Sequence, residues 1–152
     1  VRELVVTLQL PDATPLIGPD PAVNEWNMAV VGHPLWLWTG GDRQLTTSRT
    51  DFGITFTLDA RHVSTTFALG DGNRVTCTAT APYPTSVEPG TPSPACGYTY
   101  AAASRPRGDY TVTATTNWNV AWSAAGYSGV LPVTRTGSRA LPVGELQAVV
   151  VG

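Results

Sequence analysis

The fold is decided by the stretch Tyr110-Thr-Val-Thr-Ala-Thr-Thr-Asn-Trp-Asn-Val-Ala-Trp122. Its even positions are mostly apolar and its odd positions are mostly threonine and asparagine. This two-residue period is typical of a β-strand with one buried face. We therefore predict a long central strand over Asp109–Ser123 with a tryptophan-bearing core face. That predicted face consists of Tyr110, Val112, Ala114, Trp118, Val120 and Trp122.

The composition of the whole chain also favours an all-β protein. Its 152 residues suit a single domain, and apolar residues make up 42% while charged residues make up only 13%. Threonine, which is β-branched and suits the solvent face of a sheet, occurs 22 times. Thirteen prolines and fifteen glycines indicate many short strands separated by turns.

Shorter strand-like segments flank the central one. Pro11 to Pro21 contains four prolines and is expected to be an irregular arm over the surface. We predict one structural domain, with residues 1–43 as an N-terminal strand and extended proline-rich arm packed on a β-sandwich formed by residues 44–152. The further strands are predicted at Glu3–Leu10, Gln44–Thr50, Ile54–Ala60, Ser64–Leu69, Arg74–Thr80 and Val130–Val151, the last broken around Pro142-Val-Gly144.

The two cysteines, Cys77 and Cys96, flank a proline-rich loop. Neither belongs to a CxxC motif, so a zinc or redox site is disfavoured and a disulfide is predicted. A disulfide indicates an oxidising compartment. We therefore expect a secreted or cell-surface protein, of which this chain is a mature or trimmed extracellular part without a membrane-spanning segment.

Two motifs resemble the polycystic-kidney-disease (PKD) domain family. Thr65-Thr-Phe-Ala-Leu-Gly-Asp-Gly-Asn73 is similar to the family's W-x-F-G-D-G block, and Cys96-Gly-Tyr-Thr-Tyr100 with Gly108-Asp-Tyr-Thr-Val-Thr-Ala-Thr115 is similar to its second block. The chain also resembles a group of uncharacterised exported actinobacterial proteins, which share the segment that stands here as His33-Pro-Leu-Trp-Leu-Trp38. The resemblance implies an immunoglobulin-like sandwich and supports export. It implies no catalytic activity.

The Gly-Asp-Gly motif is interpreted first as a structural turn. Gly70 and Gly72 permit a tight backbone, and Asp71 can accept hydrogen bonds from amides within it. Asp71 and Asn73 together are a weak calcium candidate, because a calcium ion requires six to eight oxygen ligands. No other metal and no cofactor is predicted.

Five tryptophans are the most informative excess for function. Trp118 and Trp122 are assigned to the core, whereas Trp26, Trp36 and Trp38 lie outside the PKD-like region. Those three either fasten the arm to the sandwich or form an exposed platform that binds carbohydrate or protein.

We expect a non-catalytic module that makes protein–protein or cell-envelope contacts and can self-assemble as a structural subunit; the alternatives are a carbohydrate-binding module and, more remotely, a secreted hydrolase. For the hydrolase only His33 and His62 could supply the imidazole, and no catalytic residue is assigned. The nine arginines are scattered, which disfavours nucleic acid. Because lysine is missing, lysine–asparagine isopeptide cross-links are excluded.

Overall fold

A computed structural model describes residues 8–146 of the chain, which form an all-β protein without an α-helix in that range. A short 3-10 turn, Pro21–Val23, begins at the side-chain cap of Asp20. The strands are β1 Leu16–Gly18, β2 Ala29–Val30, β3 Leu35–Trp38, β4 Gln44–Asp51, β5 Ile54–Ala68, β6 Arg74–Cys77, β7 Gly97–Tyr98, β8 Tyr110–Ala124, β9 Tyr127–Leu141 and β10 Val143–Gly144.

The largest sheet is antiparallel and has the order β4-β5-β8-β9, with β6 pairing the second half of β5. Two-residue turns close both of its long hairpins, at Phe52-Gly53 and Ala125-Gly126. All four turn residues have positive φ, which matches the turn type that suits the twist of paired strands. Because Phe56 pairs with Ala124, both turns lie at the same end of the sheet.

Two smaller sheets are formed by the remaining strands of residues 8–146. β1, β3 and β7 form a three-stranded antiparallel sheet, and β2 pairs with β10 in parallel. Buried side chains from β1 and β3, such as Ile17 and Leu37, join Phe67, Val112 and Leu141 of the large sheet in one core cluster. Sheets therefore pack face to face, as in a β-sandwich.

The N-terminal part of the chain differs from the predicted surface arm. Ala13, Pro15 and Ile17 are buried, and Leu16–Gly18 pairs with β3 instead of crossing the surface as a loop. The Arg135 guanidinium donates to the Leu10 carbonyl at 3.1 Å, which ties the start of this segment to β9. The four prolines predict an irregular surface segment, but proline next to a short edge strand is compatible with burial.

The central strand is confirmed over Tyr110–Ala124, and its inner face is buried as far as Val120. The two segments predicted on either side of residue 61 form one strand, β5, with an irregularity between His62 and Ser64. The break at Pro142 is confirmed between β9 and β10. Most of the strand predicted at Glu3–Leu10, and the end of the one predicted at Val130–Val151, fall outside the described residues. In the described part of the chain, no helix is long and apolar enough to cross a membrane.

The disulfide between Cys77 and Cys96 is confirmed. Both cysteines are buried in the main core, where they connect the end of β6 to the residue before β7. The bond therefore joins the large sheet to the three-stranded sheet at the side of the core.

Replacing both cysteines, as Cys77→Ala with Cys96→Ala, should lower the free energy of unfolding by about 3 kcal/mol, because a loop of this size is released in the unfolded chain. Urea denaturation followed by tryptophan fluorescence measures the effect. Reducing the wild-type protein should produce a similar loss, which isolates the cross-link from the change in side chains. An unchanged midpoint in both experiments would contradict a stabilising role.

Candidate functional site

The Gly70-Asp71-Gly72 turn is fastened to a group of three tyrosines. The Tyr100 hydroxyl donates to the Leu69 carbonyl at 2.7 Å, and this bond is buried. The Tyr100 ring stacks on Tyr110 at 4.9 Å and meets Tyr98 edge-on at the same distance. Gly70 has φ +82°, and a Cβ there would lie 2.7 Å from the Thr111 carbonyl oxygen, so glycine is needed for the turn to approach β8. The packing of this turn against β8 therefore requires glycine at position 70.

Both carboxylate oxygens of Asp71 accept hydrogen bonds within the turn. Its Oδ1 accepts from the Asn73 amide at 3.0 Å, while Oδ2 accepts from the Tyr98 hydroxyl and from the Asn73 side chain. Burial alone would raise the pKa of Asp71, but these hydrogen bonds outweigh it and the pKa is lowered. Among the described residues, no group of three or more histidines, cysteines and acids could hold a metal ion. The weak calcium candidate at Asp71 and Asn73 thus gains no support from the turn's geometry.

Tyr100→Phe should lower the free energy of unfolding by about 1–3 kcal/mol, because the buried Leu69 carbonyl would lose its donor. Tyr110→Phe is the matched control, since its hydroxyl bonds the Ala102 carbonyl at an exposed site. That control should cost less than about 1 kcal/mol. Equal losses in the two variants would show that the buried hydrogen bond is not what matters. Chemical denaturation of both variants makes the comparison.

The three tryptophans of the predicted platform do not form one exposed surface. Trp36 is only 5% exposed, and its indole Nε1 donates to the Thr91 carbonyl at 2.8 Å. It therefore anchors the loop that the disulfide closes, which corrects its assignment to a platform. Trp26 is 51% exposed in the turn after the 3-10 segment, and Trp38 is partly buried in β3.

Trp38 lies instead in an open cleft of about 500 Å³, which we call the Trp38 cleft. Its walls come from β1, the residues up to Val23, the end of β3, the disulfide loop and β9; they include Trp38, Tyr83, Leu16, Val23, Asp20 and Arg139. Tyr83 meets the buried Trp36 ring edge-on at 5.4 Å and sits directly on Gly18. A Cβ at Gly18 would collide with the Tyr83 side chain, so this glycine permits the aromatic wall to form.

One ion pair crosses the cleft wall. Arg139 Nη2 lies 2.9 Å from Asp20 Oδ1, and the same oxygen accepts from the backbone amide of Ala22 at 3.0 Å. Both bonds use Oδ1, so the lone pairs of Oδ2 stay available to solvent or a ligand. The charged part of the cleft is therefore an adjacent donor and acceptor whose charges cancel.

The His62 ring contacts the guanidinium of Arg43 and the hydroxyl of Thr65. Arg43 Nη1 lies 3.1 Å from its Nδ1, and Thr65 Oγ1 lies 2.8 Å from its Nε2, while the ring packs edge-on against Trp118. Burial, and secondly the Arg43 charge, lower the pKa of His62. In a Ser-His-Asp triad a carboxylate accepts from this ring nitrogen, whereas a guanidinium lies at this position next to His62. His33 is exposed in the bend before β3, in a different segment of the chain from His62.

The lowered pKa of His62 predicts a loss of stability in weak acid. As the pH falls below 6.5, the ordinary value, the unfolded chain binds the proton before the folded one does. The free energy of unfolding is therefore retained above pH 6.5, and it declines as the pH falls toward the pKa of His62 in the folded protein. His62→Gln should flatten the change in unfolding free energy between about pH 7.5 and pH 5.5. His33→Gln should keep the wild-type pH dependence, and a wild-type dependence in His62→Gln would refute this assignment.

The turn end of the large sheet leaves an apolar face open. The register places Leu58 and Trp122 in one row, with Phe56 and Tyr127 in the next row toward the turns and Leu131 in the row on the other side. We call these five residues the sheet-end face. Tyr127 is 74% exposed and Leu131 is 56% exposed.

The two tryptophans of the central strand differ in burial. The Trp122 indole lies over Gly129, outside the core clusters, so its assignment to the core is wrong. The assignment of Trp118 to the core is confirmed.

Sequence reasoning missed several cleft residues. Tyr83 stands between two prolines in the cysteine loop, and nothing local shows that this loop returns to β1. Arg139 did leave a signal, because the odd positions of β9 from Val133 to Leu141 are its inner face and include two arginines. A charged residue on an inward face needs a partner, so an arginine at this position predicts an acidic residue elsewhere in the chain that pairs with it.

Comparison with known proteins gives no matching family model, no similar curated protein and no similar solved structure. The class of this protein is therefore defined by its own architecture. It is an all-β protein with packed sheets, one disulfide, an aromatic cleft and an open apolar sheet end.

Proposed function

We propose that this chain is a non-catalytic extracellular module with an immunoglobulin-like, PKD-type sandwich, and that it works by protein–protein contact. The PKD-type assignment is supported by the Gly70-Asp71-Gly72 turn and by the Tyr100 hydrogen bond to the residue preceding it. A tyrosine that bonds backbone near a strand corner is a recurring feature of immunoglobulin-like domains. The extracellular assignment is supported by the disulfide.

The sheet-end face is the observation that supports a function in protein–protein contact. Leu58 packs against the second core cluster, and Phe56 and Trp122 continue the face outside both clusters on strands paired on each side. Tyr127 and Leu131 extend it onto the edge strand β9. Aromatic and aliphatic side chains gathered on one face favour association with another surface. The opposite face of the same strands carries hydroxyl pairs such as Thr50 with Thr55 at 2.9 Å, together with the exposed Val130. The aromatic side chains Phe56, Trp122 and Tyr127 thus lie together on one side of the sheet end.

The partner that we propose is a second copy of the chain. A two-fold contact uses the same patch on both subunits, so the patch must not repel itself. At the β4 edge of this face, Arg49 and Asp51 form an ion pair at 3.3 Å, so the face carries both signs of charge. A net charge of only −2 likewise leaves little repulsion between copies.

Two adjacent substitutions test this proposal on opposite faces of β9. Leu131 belongs to the sheet-end face, whereas Val130, which is 61% exposed, points to the other side. We expect sedimentation velocity to show concentration-dependent dimers for the wild type, and Leu131→Glu to weaken them by about tenfold or more, since a charge would be buried at the contact. Val130→Glu should dimerise like the wild type.

Thermal unfolding of both variants controls for folding, since each site is exposed. A strictly monomeric wild type at millimolar concentration would refute self-association through this face. Equal weakening by the two substitutions would refute the choice of face.

A further inference from the structure

We propose that the Trp38 cleft is a binding site for an uncharged carbohydrate. This site is separate from the sheet-end face and uses none of its residues. It occupies the junction of β1, β3, β9 and the disulfide loop, whereas the sheet-end face lies at the turns of the two long hairpins.

The size and lining of the cleft suit a small ring-shaped ligand. A volume of about 500 Å³ lies within the range of small-molecule sites, which are mostly apolar with a few placed polar groups. Trp38 and Tyr83 supply aromatic surface, and Leu16 and Val23 extend it. The apolar C–H face of a sugar ring can pack on such aromatic surface while its hydroxyls remain free for hydrogen bonds.

Asp20 and Arg139 supply the groups that hydroxyls need. A hydroxyl both donates and accepts, and two neighbouring hydroxyls of a sugar can therefore use an adjacent carboxylate oxygen and guanidinium N–H. Asp20 Oδ1 is occupied by Arg139 and by the Ala22 amide, which leaves Oδ2 as the acceptor for a ligand. The ion pair fixes both groups, because the Asp20 carboxylate also caps the 3-10 turn.

The balance of charge selects against acidic sugars. Among the residues that line the cleft, Asp20 and Arg139 are the two charged ones, and they are paired with each other. A carboxylate or sulfate on the ligand would find the guanidinium already neutralised and Oδ2 nearby. Electrostatics therefore favour a neutral ligand.

A proline-rich peptide is the other occupant that aromatic grooves commonly take. Its backbone offers carbonyl acceptors but lacks an N–H at each proline, so Asp20 Oδ2 would have no donor from those residues. A sugar can donate a hydroxyl hydrogen bond to the Asp20 carboxylate and accept one from the Arg139 guanidinium. The donor and acceptor pattern thus favours the carbohydrate.

The aromatic wall of the cleft is held in position by contacts within the protein. Tyr83 is held by the Trp36 ring, and Trp36 is itself buried and bonded to Thr91. Binding therefore costs little ordering of side chains, which improves affinity for a small ligand.

The test is a titration of the whole chain with neutral oligosaccharides, namely gluco-, manno- and chito-oligosaccharides of different linkage, followed by tryptophan fluorescence and calorimetry. We expect saturable binding of at least one of them. Trp38→Leu, which keeps apolar bulk, should weaken it by about tenfold or more. Trp26→Leu removes an exposed tryptophan outside the cleft and should leave the affinity within about twofold of the wild type.

Asp20→Asn is the second variant. Asparagine caps a helical turn as well as aspartate does, so folding should be kept while the charged acceptor is lost. We expect about tenfold weaker binding. This variant keeps the proposal testable if Trp38→Leu fails to fold, which circular dichroism and thermal unfolding would show.

Several outcomes would overturn the proposal. These are no saturable binding of any neutral oligosaccharide by a folded wild type, unchanged affinity in Trp38→Leu and Asp20→Asn, and binding of oligogalacturonate or a polyproline peptide in place of neutral sugars. Dimerisation through the sheet-end face can succeed or fail independently of each of these results.

Discussion

The buried hydrogen bond from Tyr100 to the Leu69 carbonyl is the interaction on which the rest of the structure depends. It joins the end of β5 to the segment that leads from the disulfide toward β8. An unpaired carbonyl at this depth would be costly, so the ring must stay where its hydroxyl reaches the carbonyl oxygen. That position also lets Tyr110 stack on the ring at the start of the central strand. The two sheets consequently meet in one register, with Phe67 and Val112 facing Leu37 across the core.

The disulfide supports the same arrangement from the side and has a second effect on the cleft. Cys77 and Cys96 enclose the loop that carries Tyr83, and the core fixes both ends of that loop. Inside it, the Trp36 indole bonds the Thr91 carbonyl and contacts the Tyr83 ring. The disulfide thus fixes the two ends of the loop, and the buried Trp36 side chain fixes its middle. These contacts position the loop as a wall of the Trp38 cleft, although the loop has no regular secondary structure there.

The sequence allowed the large sheet to be predicted better than the cleft. Alternation is a local signal, so Tyr110–Ala124 and the turn at residues 52–53 could be placed from their own residues. The same signal failed at Trp122, because alternation defines a face and not how far along the strand that face is covered. Ile17 was missed because proline on either side of the strand hid its β character. The cleft joins Asp20 to Arg139, 119 positions apart, and only the tertiary fold brings them together.

The two exposed surfaces differ in a way that bears on their roles. The sheet-end face is formed by neighbouring strands of one sheet, so its side chains follow the pleat and give a broad, shallow surface. The Trp38 cleft is formed where four separate segments meet, which produces a concave site with walls of different chemistry. Broad apolar faces suit contact with another folded surface, whereas concave sites with a paired donor and acceptor suit a small polar ring. A module with both could attach to a saccharide near its core and associate with another copy at the far end of its sheet.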